Sequence, residues 1–258
     1  MRVMLRNIRW EAEETNSYIL EPLPGQALPH FAAGAHVDVK IAANLSRSYS
    51  LANDPESRGY YEIAVRRSPA GRGGSTYIHD AWKVGQIIEI SEPTNNFPLH
   101  TSADHTALIA GGIGITPMLP MIATLERLKK SWELHYVAAN PRQAAFVDRL
   151  RAYPQAHILV EPAPSGRKLD LQGVCNAAPW NAHLYCCGPT RMLDAFVAAT
   201  ADRPKGHAHI EYFSADTAIA MEGGYHLELF RSGKLIEVPQ GNSMLDCLLG
   251  AGVEVGFA

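Results

Sequence analysis

Twenty consecutive residues without charge, Thr106 to Leu125 (TALIAGGIGITPMLPMIATL), constrain the fold more than any other stretch. The run is long enough to cross a bilayer as a helix. Gly111, Gly112, Gly114, Pro117 and Pro120 stand near its middle, however, where they would break a spanning helix. A buried strand (TALIAG), a glycine turn and a helix opening at Pro117 satisfy all of these residues at once. The helix should run to Lys130, with Met118, Met121, Ile122, Leu125 and Leu128 as its apolar stripe. Lys129 and Lys130 suit its C-terminal end. The start, MRVMLRNIRWEAEE, is interrupted by charge and has no signal-peptide core. The expectation is therefore a soluble, cytoplasmic protein containing a βα unit.

The rest of the chain extends this pattern. Before residue 101, short or alternating apolar runs recur (SYILEPL, HVDVKI, RSYSLA, YYEIAVRR, QIIEISEP) with proline and glycine between them, as in an antiparallel barrel. After it, strands and helices alternate: WELHYVAA, helix QAAFVDRLR, AHILVE, HLYCC, helix TRMLDAFVAAT and HAHIEYF. Such alternation predicts a mainly parallel, doubly wound sheet. The small and polar run SADTAIAMEGG reads as a linker over 214–224. A hairpin around Ser232-Gly233 and a helix from Ser243 follow in 225–258. The expected domains are thus 1–100, 101–213 and a small third piece.

With 47% apolar residues, 19% charged residues and a net charge of −3, nothing electrostatic points to nucleic acid. The four cysteines form no C-x-x-C pair, and adjacent Cys186 and Cys187 suit reduced thiols. His207 and His209 alternate on one strand face, but the sequence supplies no further ligand cluster, so no metal site is expected. Neither G-x-S-x-G nor H-E-x-x-H occurs.

Four stretches remain as chemistry-bearing candidates. Gly111-Gly112-Ile113-Gly114-Ile115-Thr116-Pro117 joins strand to helix, where a backbone can approach a pyrophosphate at a helix N-terminus. Alone, it serves equally as a tight turn in a buried βα unit. Cys187-Gly188-Pro189 also follows a strand and precedes a helix, and buried packing would explain the cysteines as well. Arg47-Ser48-Tyr49-Ser50 offers a planar fork for phosphate, a flat face and a hydroxyl; alone, it reads as half-exposed strand. Gly73-Gly74-Ser75 precedes TYIHDAWK, the possible start of a short helix, and is either an anion cradle or a hairpin loop.

In this order, R-x-Y-S-L, G-R-G-G-S, G-G-I-G-I-T-P-M and Y-C-C-G-P resemble the phthalate dioxygenase reductase family, within the ferredoxin–NADP reductase superfamily. The resemblance implies an antiparallel Greek-key barrel that binds FMN and an α/β domain that binds NADH. It also implies a plant-type [2Fe–2S] domain and electron delivery to a Rieske-type aromatic oxygenase or O-demethylase. By the resemblance, Arg47 and Gly73-Gly74-Ser75 hold the FMN phosphate, with Ser48 beside them. Tyr49 and Ser50 lie against the flavin ring, and Val65 and Arg66 line its edge. Gly112, Gly114 and Thr116 seat NADH with Gly188 and Pro189; Cys187 approaches the nicotinamide, and Phe213 lies near the flavin. Ser50, Cys187 and Thr116 are the expected catalytic residues. Relatives commonly carry arginine at the position of Ala139, which leaves Arg142 as a substitute adenosine contact.

Cluster ligation in such domains needs C-x4-C-x2-C and a distant fourth cysteine. No such spacing occurs here, and Cys247 stands alone. The resemblance therefore implies a chain cut just before its first iron ligand, with the [2Fe–2S] cluster expected only in a longer chain. Such a chain should reduce ferricyanide with NADH but should not reduce cytochrome c or its oxygenase efficiently. A stand-alone flavin reductase and a non-catalytic nucleotide-binding module are the competing expectations.

Overall fold

Alternating apolar residues along the first ninety positions give six strands: β1 (Arg2–Ala12), β2 (Thr15–Pro22), β3 (His36–Ala42), β4 (Leu45–Ser50), β5 (Tyr61–Arg66) and β6 (Ile87–Ile90). The computed structural model describes residues 1–42, 45–69, 71, 73–160, 169–213, 224–239, 242 and 244–253. The six strands pair antiparallel in the order β4-β3-β6-β1-β2-β5. A further bridge from Leu51 to Ile63 brings the two edge strands together and closes the sheet into a barrel. Val3, Leu5, Tyr18, Leu20, Val37, Val39, Ile63 and Val65 fill its interior. Helix α1 (Gly74–Ala81) lies between β5 and β6 and buries Ile78 in the same core.

The uncharged run folds as its residue types demand. Strand β7 (His105–Gly111) passes into a 3-10 turn, Gly112–Ile115, and then into helix α2 (Met118–Arg127). Met118, Met121, Ile122 and Leu125 are buried, each by about 1.5–3 kcal/mol of transfer free energy, while Leu128 lies beyond the helix and is exposed. Strands β8 (Ser131–Ala138), β9 (Ala156–Val160), β10 (His183–Cys187) and β11 (Ala208–Glu211) complete a parallel sheet in the order β11-β10-β7-β8-β9. One face packs α2 against Leu108, Leu134, Tyr136 and Tyr185. The other packs α4 (Leu171–Ala177) and α5 (Thr190–Ala199) against Ala107, Ile109, Leu184 and Cys186. The expected barrel and doubly wound sheet are both present. They share a core, because Ala12, Ala52, Ala64 and Phe97 join the α2 face. Arg149 adds a cross-tie, with its Nη1 3.1 Å from Glu62 on β5 and its Nη2 donating to the Ala52 carbonyl.

Two sequence expectations need correction. The helix expected over QAAFVDRLR is only α3 (Val147–Leu150); Pro141–Gln143 is a 3-10 turn and Phe146 takes φ +62°. Burying Ala144, Ala145 and Phe146 in the core turns the backbone out of helix there. Helix α4 lies between AHILVE and HLYCC, where the sequence pattern gives no helix. Its start is set by Asp170, whose Oδ1 accepts from Gly173 N at 2.9 Å.

The chain divides into two compact units, Met1–Phe213 and Ser214–Ala258. The second contains hairpin β12 (Tyr225–Leu229) and β13 (Lys234–Val238), with Gly233 at φ +64° in its turn, and helix α6 (Met244–Gly250). Nearly all of the expected linker, and residues 254–258, lie outside the described residues. No helix among the described residues is long and apolar enough to cross a membrane.

Candidate functional site

Strand order fixes where a ligand can approach. The chain runs outward from β7 to β8 and β9, then returns to place β10 on the other side of β7. The carboxyl ends of β7 and β10 therefore flank a topological switch point, the place where open parallel sheets form a ligand crevice. The Gly111–Ile115 turn leaves β7 there, and Cys187-Gly188-Pro189 leaves β10. The two edges meet so closely that side chains are excluded. A Cβ on Gly114 would stand 2.2 Å from the Cys187 carbonyl oxygen, and one on Gly111 would stand 2.7 Å from Pro189 Cδ. Gly188 approaches the Gly111 backbone at 3.2 Å by the same measure. Thr116 is buried and its hydroxyl donates to the Ile113 carbonyl at 3.0 Å, so it fixes the turn rather than offering its proton elsewhere.

The barrel supplies the facing wall. Gly112 takes φ +56°, and a Cβ there would lie 3.8 Å from Arg66 Nη1, so this exposed guanidinium reaches the glycine turn. Val65 is fully buried, and its carbonyl meets His79 Nε2 at 2.8 Å. On β4, Arg47 and Tyr49 pair with Val39 and Val37. Burial pushes the Tyr49 hydroxyl up to about 12, against the opposing effect of Arg47, so this phenol stays neutral. The start of α1 packs on Arg47: a Cβ on Gly74 would be 3.2 Å from Arg47 Cγ and 3.5 Å from its Nε. Gly73, at φ +84°, turns the chain into that helix, whose first turn carries no acidic residue. Ser75 Oγ accepts from Ser68 N at 3.0 Å, which leaves its own proton to donate. The guanidinium of Arg47 and the N-terminus of α1 thus lie side by side, an arrangement suited to an anion.

Ser50 is buried and its Oγ has no hydrogen-bond partner among the described residues. An orphaned buried hydroxyl at a strand end is a costly feature unless a ligand completes it. Ser48 differs from the expectation, being exposed and donating to Asp38 Oδ1 at 2.6 Å. Its hydroxyl proton is taken up there, while its oxygen and backbone stay free to accept or donate. Phe213, nearly half exposed, ends the first unit two residues beyond β11.

One residue of this edge escaped the sequence reading. Glu211 pairs in register with Cys187 and is half-buried, its Oε2 without a partner among the described residues. Burial pushes its carboxyl up to about 7. Burial first, then Glu211, pushes the Cys187 thiol well above its ordinary value, so it stays protonated. The available signal was the inward row His207, His209, Glu211, a carboxylate where β alternation calls for an apolar side chain. Because the folded state holds this proton more tightly, stability should fall as pH rises from 4.5 through 7 and then level off. Glu211→Gln should therefore be more stable than the parent at pH 8, by up to about 3 kcal/mol, with the difference vanishing below pH 4. Urea unfolding at both pH values checks this; a constant difference would refute the buried-acid assignment.

A cleft of about 1030 Å³, lined by Trp10, Pro141, Phe146, Arg149 and Ile158 among others, includes none of these residues. Volume does not single out these residues; the close glycine contacts between the β7 and β10 edges bring them together.

Comparison with known proteins gives a consistent picture. A family model described as an oxidoreductase FAD-binding domain matches residues 12–98. Phenoxybenzoate dioxygenase subunit beta of Ectopseudomonas oleovorans is 43% identical over 251 residues, covering 96% of this chain and 78% of that protein. Phthalate dioxygenase reductase of Burkholderia cepacia is 37% identical over 250 residues, 95% of this chain and 77% of that one. A solved phthalate dioxygenase reductase, described as modular for electron transfer from pyridine nucleotides to [2Fe–2S], superposes with a TM-score of 0.81 at 34% identity. It covers 100% of this chain and 82% of the other.

Proposed function

Because the chain belongs to the phthalate dioxygenase reductase family of flavin-binding oxygenase reductases, we propose that it is an FMN-dependent NADH oxidoreductase. Its electron acceptor is a Rieske-type aromatic oxygenase or O-demethylase in the cytoplasm, reached in a longer chain through a [2Fe–2S] cluster. The observation that carries the reading is the packing of Gly74 on Arg47, which brings one guanidinium and one helix N-terminus to a single point. That arrangement suits a terminal monophosphate, and so FMN rather than FAD.

When bound, FMN supplies the two-electron to one-electron conversion that a nicotinamide donor needs. The chain's own residues do the positioning. Arg47, the first N–H groups of α1 and Ser75 hold the phosphate; Tyr49 lays a neutral ring along the flavin, and Ser50 Oγ donates to it. Arg66 and Val65 line its edge, with Phe213 beside it. Gly112, Gly114 and Thr116 shape the backbone on which the nicotinamide side rests, with Gly188 and Pro189 opposite. Cys187 contributes a neutral, dry wall there, and Glu211 holds a proton beside that thiol. Asn140 Oδ1 accepts from Arg142 N at 2.9 Å, anchoring Arg142 just past the end of β8 as the adenosine contact. NADH is the preferred donor, to be checked by kcat/KM against NADPH.

Retention of flavin through gel filtration, with mass spectrometry of the released cofactor, tests the reading. FMN at about one per chain is expected. Released FAD would refute the phosphate assignment, and a chain that binds no flavin would refute the function. The spectrum of these 258 residues should show flavin bands without cluster bands, since their four cysteines lack the spacing for ligation.

A further inference from the structure

The switch-point chemistry leaves unused a group of histidines on the same face of the parallel sheet. His100 comes from the segment between β6 and β7, His183 opens β10 and His209 lies in β11. One ring nitrogen from each lies within 4.8 Å of the other two. His183 Nδ1 and His209 Nε2 are 2.9 Å apart and share one proton. The His100 ring lies 4.6 Å from that of His183 and 4.9 Å from that of His209, tilted by 30° and 29°. His207 stacks on His183 at 4.4 Å, and its Nδ1 is buried without a partner among the described residues.

Tyr185 holds this group in place through its ring and its hydroxyl. Tyr185 stacks against His209 at 4.3 Å and 14°. Its hydroxyl accepts from the His100 backbone N at 2.8 Å and donates to the Pro98 carbonyl at 3.2 Å. The His100 backbone is thereby tied to β10 while its ring stays exposed. The sheet's histidines with a carboxylate neighbour, His105 and His135, are different residues. Clustered imidazoles with no acid partner among the described residues form a set of nitrogen donors suited to a cation.

We propose that His100, His183 and His209 form a site for one divalent first-row transition ion, with zinc as its natural occupant and water completing the coordination. Zinc–nitrogen bonds of about 2.0–2.1 Å place neighbouring donors about 3.3 Å apart in a tetrahedron. Side-chain rotations of about 1 Å at the ring nitrogens achieve that spacing. The ion takes the place of the proton between His183 and His209, and the ring that held it is protonated on its other nitrogen instead, so both ligands stay neutral. It ties the 98–100 segment to β10 and β11, and it takes no part in the redox reading above.

Calorimetric titration of the tag-free, EDTA-treated 258-residue protein with zinc chloride should show one site per chain, of micromolar affinity or tighter. At a hundredfold excess over Kd, Tm should rise by about 5–10 °C. His100→Ala and His209→Gln should each weaken zinc binding at least about tenfold, with unchanged far-UV circular dichroism. His100 is exposed, so its replacement tests the ligand set without threatening the fold. Cobalt(II) in place of zinc should give d–d bands with no thiolate charge-transfer band, which separates this site from the cysteines. No saturable zinc binding, a thiolate band, or parental affinity in both variants would overturn the proposal.

Discussion

Arg47→Ala protein is expected to emerge from gel filtration nearly colourless, with its FMN affinity lowered about 30- to 100-fold. A charge-assisted bond from a guanidinium to phosphate contributes about 2–3 kcal/mol, and each 1.4 kcal/mol is a factor of ten. At the Gly74 turn, Arg47 Nε lies 3.5 Å from the position of an added Cβ. Arg47→Lys should recover only part of the affinity, because an ammonium lacks the planar fork. Barrel stability should change little, since the side chain is half-buried and its one described hydrogen bond goes to the adjacent Ser46 carbonyl. Fluorescence titration of the apoprotein with FMN measures the effect. Parental affinity in Arg47→Ala would remove the phosphate seat from the account.

Gly114→Ala should do the opposite: keep the flavin and lose NADH oxidation by about 100-fold in kcat/KM. The added methyl would sit 2.2 Å from the Cys187 carbonyl oxygen and 2.5 Å from its carbon, both backbone atoms that no side-chain rotation can move. The turn after β7 must therefore retreat from β10 by about 1 Å to restore contact distance. A displacement of that size at a positioning element costs about 100-fold in rate. Overpacking should also lower stability by about 1–3 kcal/mol, which thermal unfolding will show. Stopped-flow bleaching of the flavin by NADH separates the two consequences. A variant that folds, binds FMN and is bleached at the parental rate would show that the close approach of the two edges is unnecessary.

Much of this architecture was legible in the residues. Thr106 to Leu125 allowed one solution, strand, turn and helix, because glycine and proline punctuate an otherwise apolar run. The alternation on either side separated barrel from doubly wound sheet, and the order of four motifs carried the family. Part of what escaped depended on partners distant in the chain. Phe146 leaves the helical path because the core behind it accepts a phenyl ring at φ +62°, and no local propensity signals that. Asp170 starts α4 through a cap that Gly173 disguises in composition. Glu211 becomes a site residue only when β11 docks beside β10 and brings it level with Cys187. Ser48 and Thr116 look like ligand contacts by type, yet Asp38 and the Ile113 carbonyl take up their hydroxyl protons. His207 and His209 read as isolated until the fold adds His183 from the adjacent strand and His100 from the connecting segment.

The account's central claim is that one chain holds FMN in the barrel and receives electrons from NADH at the β7–β10 switch point. The most direct measurement is the anaerobic absorption spectrum of the purified 258-residue protein, reconstituted with FMN, before and after one equivalent of NADH. The account predicts flavin bands that persist through desalting and bleach on addition of NADH. A chain that cannot retain FMN, or a yellow chain that NADH leaves unbleached, would contradict it.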